Sequence, residues 1–430
     1  MTDGNQQSDR RDFLQHSILG AAGAGLAIAS ATNVTVAAET EQPQESALPT
    51  DGDITNKVDV LVVGGGTAGM IAAIQAGRAG SKTLLLERNC QLGGTATTGG
   101  VAFPGLFDAW GKQVIAGIGW ELVRDSVELD GGTLPDFSKV PQRHWHNQVH
   151  VNQFLYALLA EEKCEAAGVQ IAYYEFPQAV TQTDQGWQVD CLGFGTQRRV
   201  LCKQIIDCTG GAEVVGMLNR PRLQEQERQP GSMLFQLGKA NDPGRAQLHA
   251  LYVHGADSTT SRTVTAANLT GRRAILKKVR NGKNRLMHMQ PETGFRESYR
   301  IVGETMITVN DYTSGRQFDD AVCHAFYPVD LHTKTGVRPK PLKPGTVPTI
   351  PLRALIPKDS RNIIVAGRSV CSDRLANSGL RVQASCMGMG QAAGAAAALA
   401  AKTGTTPLKV PLIEIHSLLR EHGAIIPGEA

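Results

Sequence analysis

Three glycines and one acid carry the clearest chemistry in this chain. Gly64, Gly66 and Gly69 stand as G-x-G-x-x-G between an apolar run, 60–63, and an alanine-rich helical pattern opened by Thr67 and Ala68; a second apolar run, 83–86, ends in Glu87. Each position has its own physical job. Gly64 permits a tight turn, Gly66 lets the backbone approach a diphosphate, and Gly69 lets helix and strand pack closely. The start of the helix offers free N–H groups and a positive dipole end to phosphates. A carboxylate at Glu87 accepts both hydroxyls of a ribose and repels a 2′-phosphate. Strand, glycine turn, helix, strand and acid in this order read as a dinucleotide site. The bland alternative is a glycine-rich loop that only turns the chain.

A second set of residues could act on a bound small molecule. Arg296 and Arg300, in R-E-x-x-R, stand at near-helical spacing and can share a face. They form either a guanidinium pair that orients a carboxylate or polyol, or a salt-bridge network with Glu297 and Glu304. Asp330 and His332, in Y-P-V-D-L-H, alternate as on a strand, so Asp330 can orient His332 as a general base; equally, the two can be a polar pair at a domain interface. Arg381, just before the last long helical pattern, either reaches the bound molecules or packs at the helix start. His144, His146 and His150 form the densest histidine group, but no third ligand is marked at suitable spacing and no metal is expected. Eight cysteines form no C-x-x-C. Cys191 and Cys202 flank a hairpin and are the most plausible pair in an oxidising compartment; the others read as small buried side chains.

The elements that position these residues follow an α/β pattern. The chain has 430 residues, more than one ordinary domain, with 47 glycines and 5% aromatics. Its net charge of +3 is spread without long basic runs. The most basic stretch, 272–283, lacks interleaved aromatics and reads as a solvated helix face, so nucleic acid is not an expected partner. Helices are expected over 119–129, over 151–167 with Phe154, Leu155, Leu158 and Leu159 on one face, and over 382–402 with Gly388, Gly390 and Gly394 on closely packed faces. Four strands over 169–206 read as a β-region returning at Thr209-Gly210-Gly211, and 362–368 is a buried strand ending in Gly367-Arg368. Residues 221–351 are irregular and polar, as a separate substrate domain would be.

The N-terminus reads as targeting rather than fold. Residues 8–15 resemble the twin-arginine export signature around Arg10-Arg11, followed by a short Gly/Ala-rich apolar core and small-residue cleavage sites near 29–31 and 36–38. That core is too short and glycine-rich for a comfortable membrane span; an uncleaved anchor is the alternative. Twin-arginine export carries folded proteins, so its machinery is an expected partner and the periplasm or another exported location the expected destination. Residues 39–56 read as a disordered linker.

Three blocks then match a known plan: VVGGGTAGMIAAIQAGRAGSKTLLLE, IIDCTGG and NIIVAGRSVCSDRLANSGLRVQASCMGMGQAAGAAAALA. Together they resemble the FAD-dependent oxidoreductases with a glutathione-reductase-like fold, in the subgroup related to fumarate reductase and succinate dehydrogenase flavoproteins. The resemblance implies an FAD-binding domain of parallel sheet plus β-meander, with an inserted α+β substrate domain. The implied plan is a signal peptide over 1–38, the linker over 39–56, FAD-binding parts over 57–220 and 355–430, and the substrate domain over 221–354. It implies that Gly64, Gly66 and Gly69, with Thr67 and Ala68, hold the FAD diphosphate, and that Glu87 and Arg88 stand at the adenosine ribose. Gly93, Gly94 and Thr95 line the phosphates and ribityl chain, and Thr209 and Gly210 sit beside the adenine half. Gly367 and Arg368 approach from the other side, and the N–H groups from Ser385 to Met387 point at the flavin's pyrimidine edge. No His or Cys signals covalent attachment, so FAD is expected to be unlinked, and no dicarboxylate-binding pattern can be placed. The expected activity is hydride transfer between flavin N5 and a small polar substrate, with an electron acceptor still to be identified. The alternatives are a flavin-carrying electron-transfer or binding protein, and an NAD-linked dehydrogenase.

Overall fold

The computed structural model describes residues 55–141, 144–239, 242–337 and 339–428. The export signal and all but the last two residues of the linker lie outside the described residues. Those two, Thr55 and Asn56, already belong to the first strand.

In chain order the elements used below are β1 (Thr55–Val63), α1 (Thr67–Arg78), β2 (Thr83–Glu87), α2 (Ile118–Leu129), α3 (Gln153–Ala166), β3 (Gln170–Tyr173), β4 (Phe176–Thr183), β5 (Gly186–Gly193) and β6 (Thr196–Asp207). There follow β7 (Gly231–Lys239), β8 (Asp242–Val253), α4 (Ser261–Arg280), β9 (Asn284–Met289), β10 (Ile363–Val365), α5 (Arg374–Leu380) and α6 (Gln383–Thr403).

The main sheet has seven strands, running β3-β2-β1-β6-β5-β4, with β10 also on β6. The long strand β6 explains how a parallel sheet and a meander share one layer. One of its edges carries β1 in parallel from Arg199 to Asp207. The other carries antiparallel β5 along residues 196–202 and parallel β10 along Ile205–Asp207. The central strands are apolar on both faces, as a sheet covered on both sides must be. Cys191 and Cys202 sit in neighbouring strands but opposite Arg198 and Trp187 respectively. Four register positions, about 13 Å along a strand, put them beyond disulfide reach, so the pairing held open for an oxidising compartment is not formed. All eight cysteines are free thiols.

Helices α1 and α6 cross at backbone distance. A Cβ on Gly390 would lie 2.2 Å from the Ala68 carbonyl oxygen, and one on Gly394 would lie 2.4 Å from that of Ala72. The small-residue sequence of α6 is therefore a packing requirement. Helix α3 departs from the expected burial: Tyr156, Ala157, Ala160 and Cys164 face inward, while Phe154 and Leu158 are both 61% exposed. The expected substrate segment divides between two cores. Met233, Phe235, Val253, Ala267 and Ile275 pack a small sheet, β8-β7-β9, against α4. Ile301, Ile307, Tyr312, Val322 and Ile350 join the main core.

An ionic clamp ties α2 to α1 and α3. Arg78 donates twice to Glu121 at 2.8 Å, and Lys163 Nζ reaches Glu121 at 2.7 Å and Asp125 at 2.6 Å. The Arg78 hydrogen bonds, joined by Lys163 and opposed by burial, hold the Glu121 carboxyl down at about 2. A depressed carboxylate contributes stability above its ordinary range, and that contribution is lost as pH falls toward the folded value. Because the clamp is part exposed, Glu121→Gln should cost about 1 kcal/mol at neutral pH and much less near pH 2. Equal denaturant midpoints for the two proteins at neutral pH would refute this.

Candidate active site

The first glycine turn is built by steric exclusion on one side and openness on the other. Gly64 has φ +98°, and a Cβ there would meet the Cys208 carbonyl oxygen at 2.6 Å. A Cβ on Gly69 would lie 1.7 Å from the Gly64 oxygen. Gly66 differs: its backbone is extended (φ −68°, ψ −173°), and an added Cβ would have no atom within 4 Å. That open side belongs to a cavity of about 380 Å³. Gly66 is the N-cap of α1 and provides no side-chain cap, so the first N–H groups of the helix have none to bond.

A second helix starts at the same cavity. Val382, the N-cap of α6, also provides no side-chain cap. Thr67 Oγ1 donates to Gln383 Oε1 at 3.2 Å, and Gln383 Nε2 donates to the Val101 carbonyl at 2.7 Å, so the two helix starts are stitched together. The second small-residue loop packs on the first: Gly93 N–H donates to the Gly65 carbonyl at 2.9 Å, and a Cβ on Gly94 would lie 3.0 Å from Gly66 Cα. Glu87, buried at the end of β2, accepts from the N–H groups of Gly65 at 2.7 Å and Asn89 at 2.8 Å. Burial raises its pKa, with these N–H groups opposing. Arg368 Nε donates to the Gly210 carbonyl at 2.8 Å and Nη1 to that of Phe295 at 3.3 Å. Arg368 thus has neutral acceptors only for its hydrogen bonds, and burial depresses its pKa.

Most of the expected residues converge here. Gly64, Gly66, Thr67, Ala68, Glu87 and Arg88 line the cavity. So do Gly94, Thr95, Thr209, Gly210, Gly367 and Arg368, together with Arg296, Asp330, His332 and Arg381. Gly69 and Gly93 shape its wall from behind.

Two expectations are corrected. Arg300 does not share a face with Arg296: residues 295–299 are irregular rather than helical, and Arg300 is buried against the Ser372 carbonyl and Glu225. Between them, Glu297 is tied to Gln229 and Arg374, an ion-pair network. Of the residues from Ser385 to Met387, Cys386 and Met387 come after the free N–H groups of the first turn. The helix begins at Gln383, so Cys386 N–H already donates to the Val382 carbonyl, and Ala384 N–H to Pro104. Ser385 is fully buried with an unpartnered hydroxyl, Met387 packs beside Gly119, and Val382, Gln383 and Cys386 face the cavity instead.

At the other end of the cavity a polar cluster forms around Asp330. His332 Nε2 and Asp330 Oδ2 are 3.0 Å apart, and His332 Nδ1 lies 3.1 Å from the Tyr252 hydroxyl. With neutral imidazole the network assigns Nε2–H as donor to Asp330 and Nδ1 as acceptor from Tyr252. Arg381 Nη2 donates to the Asp330 carbonyl at 3.2 Å and stands 3.9 Å from its carboxylate, and its Nε has no partner. Arg296 donates to the Pro230 carbonyl at 2.6 Å and Ser232 Oγ at 2.9 Å, and faces the Tyr252 ring. Burial, then the nearby Arg381 charge, pulls Arg296 down to about 10. Burial pushes Asp330 up, but the His332 hydrogen bond and the charges of His332, Arg381 and Arg296 outweigh it, so its pKa falls. Burial lowers His332, with Asp330 opposing and the arginines assisting.

Tyr252 and Gln229 are the residues that sequence reasoning missed. Both lie in stretches without a recognisable pattern, and only the fold brings them to His332 and Arg381. Among the described residues no group of three or more His, Cys, Asp or Glu could hold a metal ion.

Two helix starts without side-chain caps, two interlocked glycine turns and a buried carboxylate at the end of β2 around one cavity fit a dinucleotide bound across its diphosphate. The chain belongs to the FAD dependent oxidoreductase family, whose model matches residues 59–285 and 241–419. It is an FAD-dependent enzyme, and FAD is its cofactor. A 50-residue segment is 46% identical to the thiamine thiazole synthase of Methanococcus vannielii, covering 12% of this chain and 19% of that protein. Among solved structures, the anhydrotetracycline hydroxylase OxyS from Streptomyces rimosus is similar at 14% identity and a TM-score of 0.45, over 85% of this chain and 66% of that one. A geranylgeranyl bacteriochlorophyll reductase-like protein from Thermoplasma acidophilum is similar at 12% identity and a TM-score of 0.42, over 85% and 84% of the two chains.

Proposed function

We propose that this enzyme moves a hydride between its flavin and a small polar organic substrate, one that carries a hydroxyl or carboxylate. The observation that carries this reading is the convergence of Arg296, Arg381, Asp330 and His332 at one end of the cavity whose other end holds the glycine turns. FAD, when bound, supplies the atom that accepts or gives the hydride, N5 of its ring. In this reading Gly66 and the start of α1 would hold the diphosphate, Glu87 the adenosine ribose, and the start of α6 would face the flavin's pyrimidine edge. The glutathione-reductase-like arrangement of the sheet and meander belongs to the same proposal.

The chain's own residues then bind, orient and move a proton. Arg296 and Arg381 are cations with one shared carboxylate between them, so they favour an anionic or strongly polar group beside Asp330. Both ring nitrogens of His332 are engaged, whereas Asp330 Oδ1 carries no hydrogen bond among the described residues. The expected roles therefore reverse: Asp330 presents the oxygen, and His332 holds it while linking it to Tyr252. The two act as one proton-accepting unit. The test is anaerobic bleaching of the yellow holoenzyme by a panel of hydroxy acids, polyols and amines. Bleaching by one class names the substrate; no bleaching by any organic reductant, with reoxidation only by electron carriers, would sink the reading.

Export by the twin-arginine route is part of the proposal, supported by Arg10-Arg11 and the short apolar stretch after them. Changing both arginines to lysine should leave the protein in the cytoplasmic fraction. Unchanged export of that variant would refute the route.

A further inference from the structure

We infer that helix α4 is a docking surface for an anionic lipid bilayer. Its inner face, with Ala267, Gly271 and Ile275, covers the small sheet. The opposite face is set by helical spacing. Arg262, Leu269, Arg273, Leu276 and Arg280 follow one another at intervals of seven, four, three and four residues, which keeps them on a single stripe. All five are exposed, the two leucines at 42% and 48%. Arg272 and Lys277 flank the stripe and are exposed as well.

The charge of this region is one-sided. Residues 258–291 contain eight lysines and arginines and no aspartate or glutamate. Among the described residues, none of the eight has a carboxylate partner. Arg272 donates to the Pro291 carbonyl, and Lys278 lies over the Phe235 ring. Eight cations exceed the formal net charge of the whole chain, +3, so the remainder is net acidic. A face of this kind is complementary to a polyanion, which would also relieve the mutual repulsion of its cations.

The apolar residues decide which polyanion. The stretch 258–291 has no Phe, Tyr or Trp, so it offers no platform for stacking bases. It does expose Leu269 and Leu276 between the arginines on α4, and Leu286 and Met287 on β9. Interleaved arginines and aliphatic side chains suit a bilayer surface. The guanidinium groups meet the phosphates, while short apolar side chains enter the boundary between headgroups and acyl chains. No helix among the described residues is long and apolar enough to cross a membrane, so the contact is peripheral. The inference does not depend on the substrate.

The test is sedimentation of the full-length holoenzyme with vesicles of phosphatidylglycerol in phosphatidylcholine, against pure phosphatidylcholine vesicles, at low and high salt. The expected result is binding to the anionic vesicles that high salt releases. Arg273→Glu with Arg280→Glu should lower that affinity about tenfold or more, and Leu269→Ser with Leu276→Ser should lower it by less. Both variants should stay yellow, which shows that the fold is intact. The full chain is used throughout, so any binding by residues 1–54 is common to every protein, and only the difference is read. Equal binding to both vesicle types, or charge reversal without effect, would overturn the inference. So would capture by heparin or an acidic protein without capture by anionic vesicles.

Discussion

Replacing Gly66 by leucine yields a folded protein without colour. The position is unusual among the glycines of the site because nothing in the protein opposes a side chain there. Its backbone is extended and an added Cβ meets no atom within 4 Å. The new side chain therefore costs the free protein almost nothing, yet it occupies the space through which a diphosphate would approach the start of α1. FAD affinity should fall at least about a thousandfold, about 4 kcal/mol. Circular dichroism should match wild type. The melting temperature should match that of the wild-type apoprotein and no longer rise with added FAD, because a ligand stabilises only the state it binds. Gly69→Ala is the instructive contrast. Its Cβ would lie 1.7 Å from the Gly64 oxygen, so the turn itself must move, at a cost of about 1–3 kcal/mol or more. Colour lost there reports damage to the fold; colour lost at Gly66 reports the site. A Gly66→Leu protein that stays yellow with wild-type affinity would end the cofactor placement.

Replacing Asp330 by asparagine leaves FAD bound and slows flavin reduction by the bleaching substrate about 10²–10⁴-fold, the usual scale for losing a positioned proton-transfer group. The asparagine is nearly the same size, so the cavity keeps its shape. What disappears is the one negative charge between Arg296, Arg381 and His332. The pH dependence gives the sign. The pKa of Asp330 is depressed, so it is ionised through the neutral range, and that of His332 is depressed, so it is neutral there. The wild-type rate should hold as pH falls through the ordinary histidine range and drop only below it, as the pair takes up a proton. In Asp330→Asn that acid limb should vanish along with the rate. Stopped-flow flavin reduction against pH checks both. A variant within about twofold of wild type, with its acid limb intact, would remove Asp330 from the chemistry.

The order of local elements was legible along the chain, because each depends on neighbouring residues. The glycines of the first turn, the acid closing β2 and the small residues of α6 carry their reasons in their own spacing. An extended strand must follow an alternating or apolar run, and only glycine can stand where a carbonyl oxygen lies 1.7 Å from the would-be Cβ of residue 69. The start of α6 was legible to within one residue, at Gln383; which of its first residues face the cavity was not, because that depends on what packs around it.

The far end of the site was decided by tertiary structure. Spacing alone made Arg296 and Arg300 partners. The fold sends one to the cavity and the other to Glu225, because residues 295–299 are not a helix and Ser372 and Glu225 offer Arg300 buried acceptors. Tyr252 meets His332 across 80 residues of chain and Gln229 meets Arg381 across 152. Such contacts depend on how sheets and helices stack, which no periodicity within one segment encodes. The same limit left α4 reading as an ordinary solvated face. Its basic composition and the spacing that puts leucines and arginines on one stripe were visible in sequence, but only the packed helix shows that this stripe is the side turned away from the core.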